Sequence, residues 1–178
     1  MCNSLFENVN IETNRLNLRC FTLEDKEEFY KIIQDPILYE TLPEDHMYNR
    51  EEVDEIIDWF VSRYSKNIIG NIPKFPLAIV LKDEGNIIGN IGIGHYMLDK
   101  SKMEIFYFIN SGYWHKGYTS EAIEAFLEYI KENHMVDSLI GTVVDKNVAS
   151  KKILTKNGFK KIEHNYDDKR EMYLLELG

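Results

Sequence analysis

The sequence predicts one mixed α/β (α+β) domain covering residues 1–178. Three observations lead there. A half-buried strand and two helical segments are followed by antiparallel strands and then by a strand–helix–strand crossover. No repeat, low-complexity tract or Pro/Gly-rich linker divides the chain. A length of 178 residues also suffices to bury a sizeable core without a second domain.

In chain order, Arg15 to Phe21 (RLNLRCF) alternates apolar and polar, the period of a half-buried strand. Leu23 to Gln34 reads as a helix with Phe29, Ile32 and Ile33 on one face, stopped before Pro36. Glu51 to Arg63 repeats Val53, Ile56, Ile57, Phe60 and Val61 at helical spacing. Leu77–Leu81 and Ile87–Ile93 are strands joined by KDEGN, a hairpin signal, and Met103–Ile109 (MEIFYFI) is a further strand. A helix starts near Gly117–Ser120, with Ile123, Phe126, Leu127 and Ile130 on its apolar stripe. Ser138–Val144 reads as a buried strand. Asn147 is placed to cap a short helix closed by Gly158 in the left-handed conformation, with Phe159 packing back on Leu154. Strands near Phe159–Glu163 and Met172–Leu177 finish the chain.

Composition removes several function classes. No stretch reaches the eighteen or more apolar residues of a membrane span. MCNSLFENVNIETNRL lacks the basic start and apolar block of a signal peptide, so a cytoplasmic protein is expected. Cys2 and Cys20 have no metal-ligand spacing, and neither do the histidines at 46, 95, 115, 134 and 164, so no metal is assigned. A formal charge of −9 argues against a dedicated nucleic-acid partner. That charge is unevenly spread: seven acids and one arginine lie between Glu44 and Asp58, six lysines and no acid between Lys146 and Lys161. Either run can be a solvated helix face, or one can serve an anion and the other a cation.

The segment YWHKGYTS, Tyr113 to Ser120, joins a strand to a helix through a single glycine. Such a turn offers unpaired N–H groups at the positive end of a helix dipole, a cradle for phosphate, but glycine turns without ligands are common. It is not a Walker loop, and GNIGIG (Gly89–Gly94) has the wrong order for a dinucleotide fingerprint. Those strand glycines read as bulge or close-packing positions.

Four ordered blocks change the weighing: Glu104-Ile105-Phe106-Tyr107, then Tyr113–Ala122 (YWHKGYTSEA), then Asn147-Val148-Ala149-Ser150, then Lys156-Asn157-Gly158-Phe159. With the opening Glu12-Thr13 and Arg15–Arg19 (RLNLR), they resemble the GNAT acetyltransferases, in particular the RimJ/RimL-type N-terminal acetyltransferases, over nearly the whole chain. The resemblance implies a mostly antiparallel sheet in which Met103–Ile109 and Ser138–Val144 form a parallel pair that splays apart. Acetyl-CoA is then the co-substrate. The loop His115, Lys116, Gly117, Tyr118, Thr119 and Ser120 would hold its pyrophosphate. Phe108, Ile109 and Asn110 would meet the pantetheine arm through backbone groups, and Asn147 from the far side. Trp114 at the loop's first position, Thr119 at its last small position and His115 at a usual glycine depart from the superfamily pattern; a histidine there requires ordinary backbone angles.

Acetyl transfer needs a neutral amine, donors for the oxyanion and a proton for the departing thiolate. Taken alone, Glu104 is a strand glutamate facing solvent or a cation; the resemblance places the family's catalytic base there. A tyrosine acid seven residues after Asn147 is excluded because Leu154 stands there. The RimJ/RimL branch has a serine three residues after the asparagine, here Ser150, as proton donor. Tyr107 and Tyr118 read as core aromatics. The resemblance also implies that the first two helices border the acceptor groove. There the acidic run, Tyr39, Tyr48, Trp59 and Tyr64 suggest a cationic amine: a protein N-terminus, a polyamine or an amino sugar. A non-catalytic acyl-CoA-binding module is the alternative from another class. A monomer and a homodimer both remain open, a C-terminal edge strand being the feature that would support the latter.

Overall fold

A computed structural model describes residues 5–42, 47–166 and 169–178. Its centre is one sheet of eight strands: β1 (Asn10–Glu12), β2 (Leu16–Arg19), β3 (Lys74–Leu81), β4 (Ile87–Tyr96), β5 (Asp99–Ile109), β6 (Ser138–Val144), β7 (Lys160–Ile162) and β8 (Arg170–Glu176). They lie in the order β1-β2-β3-β4-β5-β6-β8-β7, and only β5 and β6 run parallel. The helices are α1 (Lys26–Ile33), α2 (Arg50–Tyr64), α3 (Tyr118–Glu132) and α4 (Val148–Lys156).

Two apolar layers cover the two faces. Helix α3 packs Ile123, Phe126 and Ile130 against Leu16, Leu18, Ile91 and Ile105, while α1 and α2 pack Phe29, Val53, Ile57 and Phe60 against Ala78, Val80 and Phe108. Successive residues of β5 therefore serve opposite faces. Ile105, Tyr107 and Ile109 join the α3 layer; Phe108 joins the α1/α2 layer, with Glu104 and Phe106 in phase with it.

Local chemistry fixes the ends of the elements. Asn49 and Glu52 form a reciprocal capping box at α2. Asn147 Oδ1 accepts from Ser150 N–H (3.0 Å) to cap α4. That helix closes in a Schellman motif: Gly158 has φ 87°, Phe159 N–H donates to Leu154 O, and Gly158 N–H donates to Thr155 O. The expected hairpin of β3 and β4 forms with a register shift at Ile79/Val80, and both strands extend beyond their expected limits. Strand β1 and the first half of β5 were not expected. Their residues, NIE and DKSK, are polar or charged and carry no alternating apolar signal.

Strands β5 and β6 pair only at Glu104↔Ile140 and then part. At the far end of β5 the Trp114 indole N–H donates to Ile109 O at 2.6 Å, which ties that carbonyl to the turn.

Candidate active site

The parting strands open a cavity of about 970 Å³ that runs between the two faces of the sheet. Its lining includes Glu104, Tyr107, Thr142, Asn147, Ser150 and the turn around Gly117. Glu104 and Ser150, far apart in sequence, therefore open onto one space.

Glu104 is half-buried on the α1/α2 face and accepts a hydrogen bond from Thr142 Oγ1 of β6. The bond crosses the strand pair where the two strands last meet, so it fixes the carboxylate at the throat of the gap. Thr142 was not singled out from the sequence, although it is the one hydroxyl inside SLIGTVV after Ser138. On the opposite face the Ser150 hydroxyl, in the first turn of α4, stands beside the Tyr107 phenol. Burial pushes that phenol up to about 12 against the opposing influence of Ser150, so it stays protonated at neutral pH. Tyr107 is thus more than core packing.

The expectation that Phe108, Ile109 and Asn110 all present backbone groups narrows. Asn110 N–H donates to Ile88 O, its carbonyl accepts from Tyr113 N–H, and its amide binds Ile32 O and Gly112 N–H. By antiparallel alternation, Phe108 also turns its backbone groups to β4. Tyr107 turns both of its groups to the gap, and Ile109 its N–H, its carbonyl being held by the Trp114 indole. Asn110 instead anchors the turn.

At the mouth, α3 begins at Gly117 (φ 81°, ψ 2°) with no side-chain cap, so Tyr118, Thr119 and Ser120 receive no side-chain cap bond on their N–H groups. The turn is held from behind by Arg15. Its Nη1 donates to Lys116 O (2.8 Å), its Nε and Nη2 both reach Glu121 Oε2 (2.7 Å), and its guanidinium lies 4.4 Å from the Tyr118 ring centroid. Glu121 Oε1 accepts from Thr13 Oγ1 (2.6 Å) and Arg15 N–H (2.8 Å). The Lys116 ammonium folds back over Tyr113 toward Gly112 O.

Burial would raise the Glu121 carboxyl, but the Thr13 and Arg15 hydrogen bonds outweigh it and hold it below its ordinary 4.5. A folded value below the unfolded one stabilises the clamp above the unfolded value, and the gain is lost as pH falls through the folded value. On the expectation that this turn holds acetyl-CoA, the KM for it should stay flat down to about pH 5 and rise below it. Initial rates from pH 7 to 4 check this, since Glu121→Gln should remove the acid rise.

His115 does not meet the condition of ordinary backbone angles; its φ is 61°. A side chain in the left-handed region costs about 1 kcal/mol. His115→Gly should therefore leave thermal stability unchanged or raised by up to about 1 kcal/mol. Gly117→Ala should lower stability by a similar amount, because it puts a side chain on the left-handed backbone that opens α3.

The lysine-rich segment divides in two. Lys151, Lys156 and Lys161 pair with Asp145, Glu124 and Glu171, whereas Lys146 and Lys152 line the cavity beside Asn147. The described residues of the acidic segment do not line the cavity, where an acceptor rim was expected. Glu51, Glu52, Asp54, Glu55 and Asp58 are all absent from the cavity lining; Asp54 pairs with Arg50 and Asp58 with Lys26. Glu44 and Asp45 lie outside the described residues. Of the four aromatics, Tyr48 and Trp59 line the cavity, while Tyr64 is core, bonding Phe21 N–H and Pro76 O.

Residues 15–160 match the family model of the acetyltransferase (GNAT) domain. The uncharacterized N-acetyltransferase YnaD of Bacillus subtilis (strain 168) is 29% identical over 153 residues, 86% of this chain and 84% of that one. The solved ribosomal α-N-protein acetyltransferase RimL, in complex with coenzyme A, superposes with a TM-score of 0.78 at 14% identity, over 95% of this chain and 98% of its own. The microcin self-immunity acetyltransferase MccE, in complex with acetyl-CoA and AMP, gives 0.76 at 16% identity, over 97% and 98%.

Proposed function

The chain belongs to the GNAT acetyltransferase family and is an acetyl-CoA-dependent N-acetyltransferase; from this premise we propose that its acceptor is the α-amine of a protein N-terminus, with Glu104 as base and Ser150 as acid. The observation that carries this reading is the single β5–β6 pairing at Glu104↔Ile140, with a carboxylate on one face of the gap and a hydroxyl pair on the other.

Acetyl-CoA supplies an activated thioester whose carbon is attacked directly by the amine. The pyrophosphate suits the uncapped N–H groups of Tyr118–Ser120, and Lys146 and Lys152 add positive charge along the cavity. The pantetheine amides suit the gap-facing backbone of Tyr107 and Ile109, with Asn147 beyond. An α-amine has a pKa near ~8, so roughly a tenth is neutral at pH 7; a lysine or polyamine amine near ~10 is about a hundredfold scarcer. A weak carboxylate base therefore suits the α-amine better. Glu104, oriented by Thr142, takes the proton released as the C–N bond forms. The collapsing intermediate expels the thiolate toward the α4 face, where Ser150 gives a proton backed by the Tyr107 phenol.

Thiol release from acetyl-CoA with short peptides tests the proposal, together with mass spectra locating the acetyl group. A gain of one acetyl on the α-amine is expected. Tight acetyl-CoA binding with no peptide acetylated would sink it.

A further inference from the structure

The α1/α2 half of the cavity is not built for a polycation. Phe29, Ile56, Trp59, Phe60, Phe106 and Phe108 line it. One cation is held among them: Lys74 Nζ lies 3.8 Å from the Phe106 ring centroid. Glycines make this possible. A Cβ on Gly92 would fall 2.5 Å from the Phe106 ring, and one on Gly94 2.7 Å from Lys74 Cδ. With no side chains at these two positions, the ring and the lysine stem lie flat on the sheet. Gly94 also pairs with Lys74 on one side and Glu104 on the other, so ammonium and carboxylate stand in one row on one face.

Further along this face sits Asn90. It is 5% exposed, lines the cavity, and among the described residues its Oδ1 accepts no hydrogen bond. A buried amide oxygen without a donor is destabilising, and a substrate N–H would satisfy it. Asn90 pairs with Phe108, four residues beyond Glu104, or about 13 Å along the strand. An extended peptide with its α-amine at Glu104 spans that distance within about four residues.

We propose that the acceptor is a peptide N-terminus whose first side chains are aromatic or branched apolar, and that Asn90 receives one of its backbone N–H groups. This rests on the acetyl-transfer reading above and sharpens it. The aromatic lining selects the side chains, while Lys74 beside Glu104 disfavours lysine- or arginine-first peptides, polyamines and amino sugars. Asn90 is a specificity residue that acts on acceptor binding.

The test measures thiol release with peptide amides beginning Phe-Leu, Leu-Phe, Ser-Asp or Lys-Lys, with phenethylamine, and with spermidine. Phe- and Leu-first peptides are expected to exceed Lys-first peptides and spermidine by at least about tenfold in kcat/KM. Asn90→Leu should raise the peptide KM about tenfold with kcat and the acetyl-CoA KM unchanged. Trp59→Ala, at a site 40% exposed and so safe for folding, should narrow the preference for aromatic first residues. Spermidine as the best acceptor would overturn the inference while leaving acetyl transfer intact. Phenethylamine matching the peptides, with no effect of Asn90→Leu on either, would overturn the peptide commitment. If nothing accepts acetyl groups while acetyl-CoA binds, the underlying reading fails instead.

Discussion

Glu104→Gln is expected to lower kcat by about 10²–10³ while the Kd for acetyl-CoA stays within about twofold. Glutamine keeps the size of the side chain and an oxygen to accept from Thr142, so the throat of the gap keeps its shape. What it loses is the ability to take a proton, the role proposed for Glu104 toward the attacking amine. Positioning by the gap remains and supplies the residual rate. Raising the pH should restore part of it, because more of the amine is then neutral without help. Stopped-time thiol release alongside calorimetric titration of acetyl-CoA separates the two quantities. A fall in affinity equal to the fall in rate would mean that Glu104 shapes the cofactor site and is not its base.

Gly89→Ala is expected to destabilise the protein by about 3 kcal/mol or more. A Cβ there would lie 2.1 Å from Phe108 O and 2.9 Å from Ile109 Cα. Both neighbours are backbone, so no side-chain rotation relieves the clash, and β5 must move away from β4. For a chain of 178 residues this lowers Tm by about 6–12 °C. The displacement runs into the gap that β5 borders, so the acetyl-CoA KM should rise in whatever protein remains folded. Thermal unfolding followed by circular dichroism checks the first effect, and steady-state rates well below the new Tm check the second. A variant as stable as the parent would contradict the close contact between β4 and β5.

How far the sequence anticipated all this depended on whether the signal was local. Helix α4 was readable to the residue, because its cap at Asn147 and its close at Gly158-Phe159 are short-range chemistry. The YWHKGYTS turn was read as a pyrophosphate loop from its company of motifs, while the strain at His115 is a backbone angle that no residue name reveals. The acidic run misled for a physical reason. Counting charges along a chain ignores helical phase: Val53, Ile57 and Phe60 turn inward on α2, which sends Glu51, Glu55 and Asp58 outward. The rows Lys74–Gly94–Glu104 and Glu104–Thr142 depend on strand register across separate elements. Arg15 and Glu121 are 106 positions apart, and only the fold reveals that they meet.

The central claim is that the space between β5 and β6 receives the pantetheine arm, with the α3 turn holding the pyrophosphate. Amide hydrogen exchange with and without coenzyme A tests it most directly. New protection is predicted at Tyr107, Ile109 and Tyr118–Ser120, with the β3–β4 ladder unchanged. Protection confined to another surface, or none along β5 at saturating coenzyme A, would contradict the account.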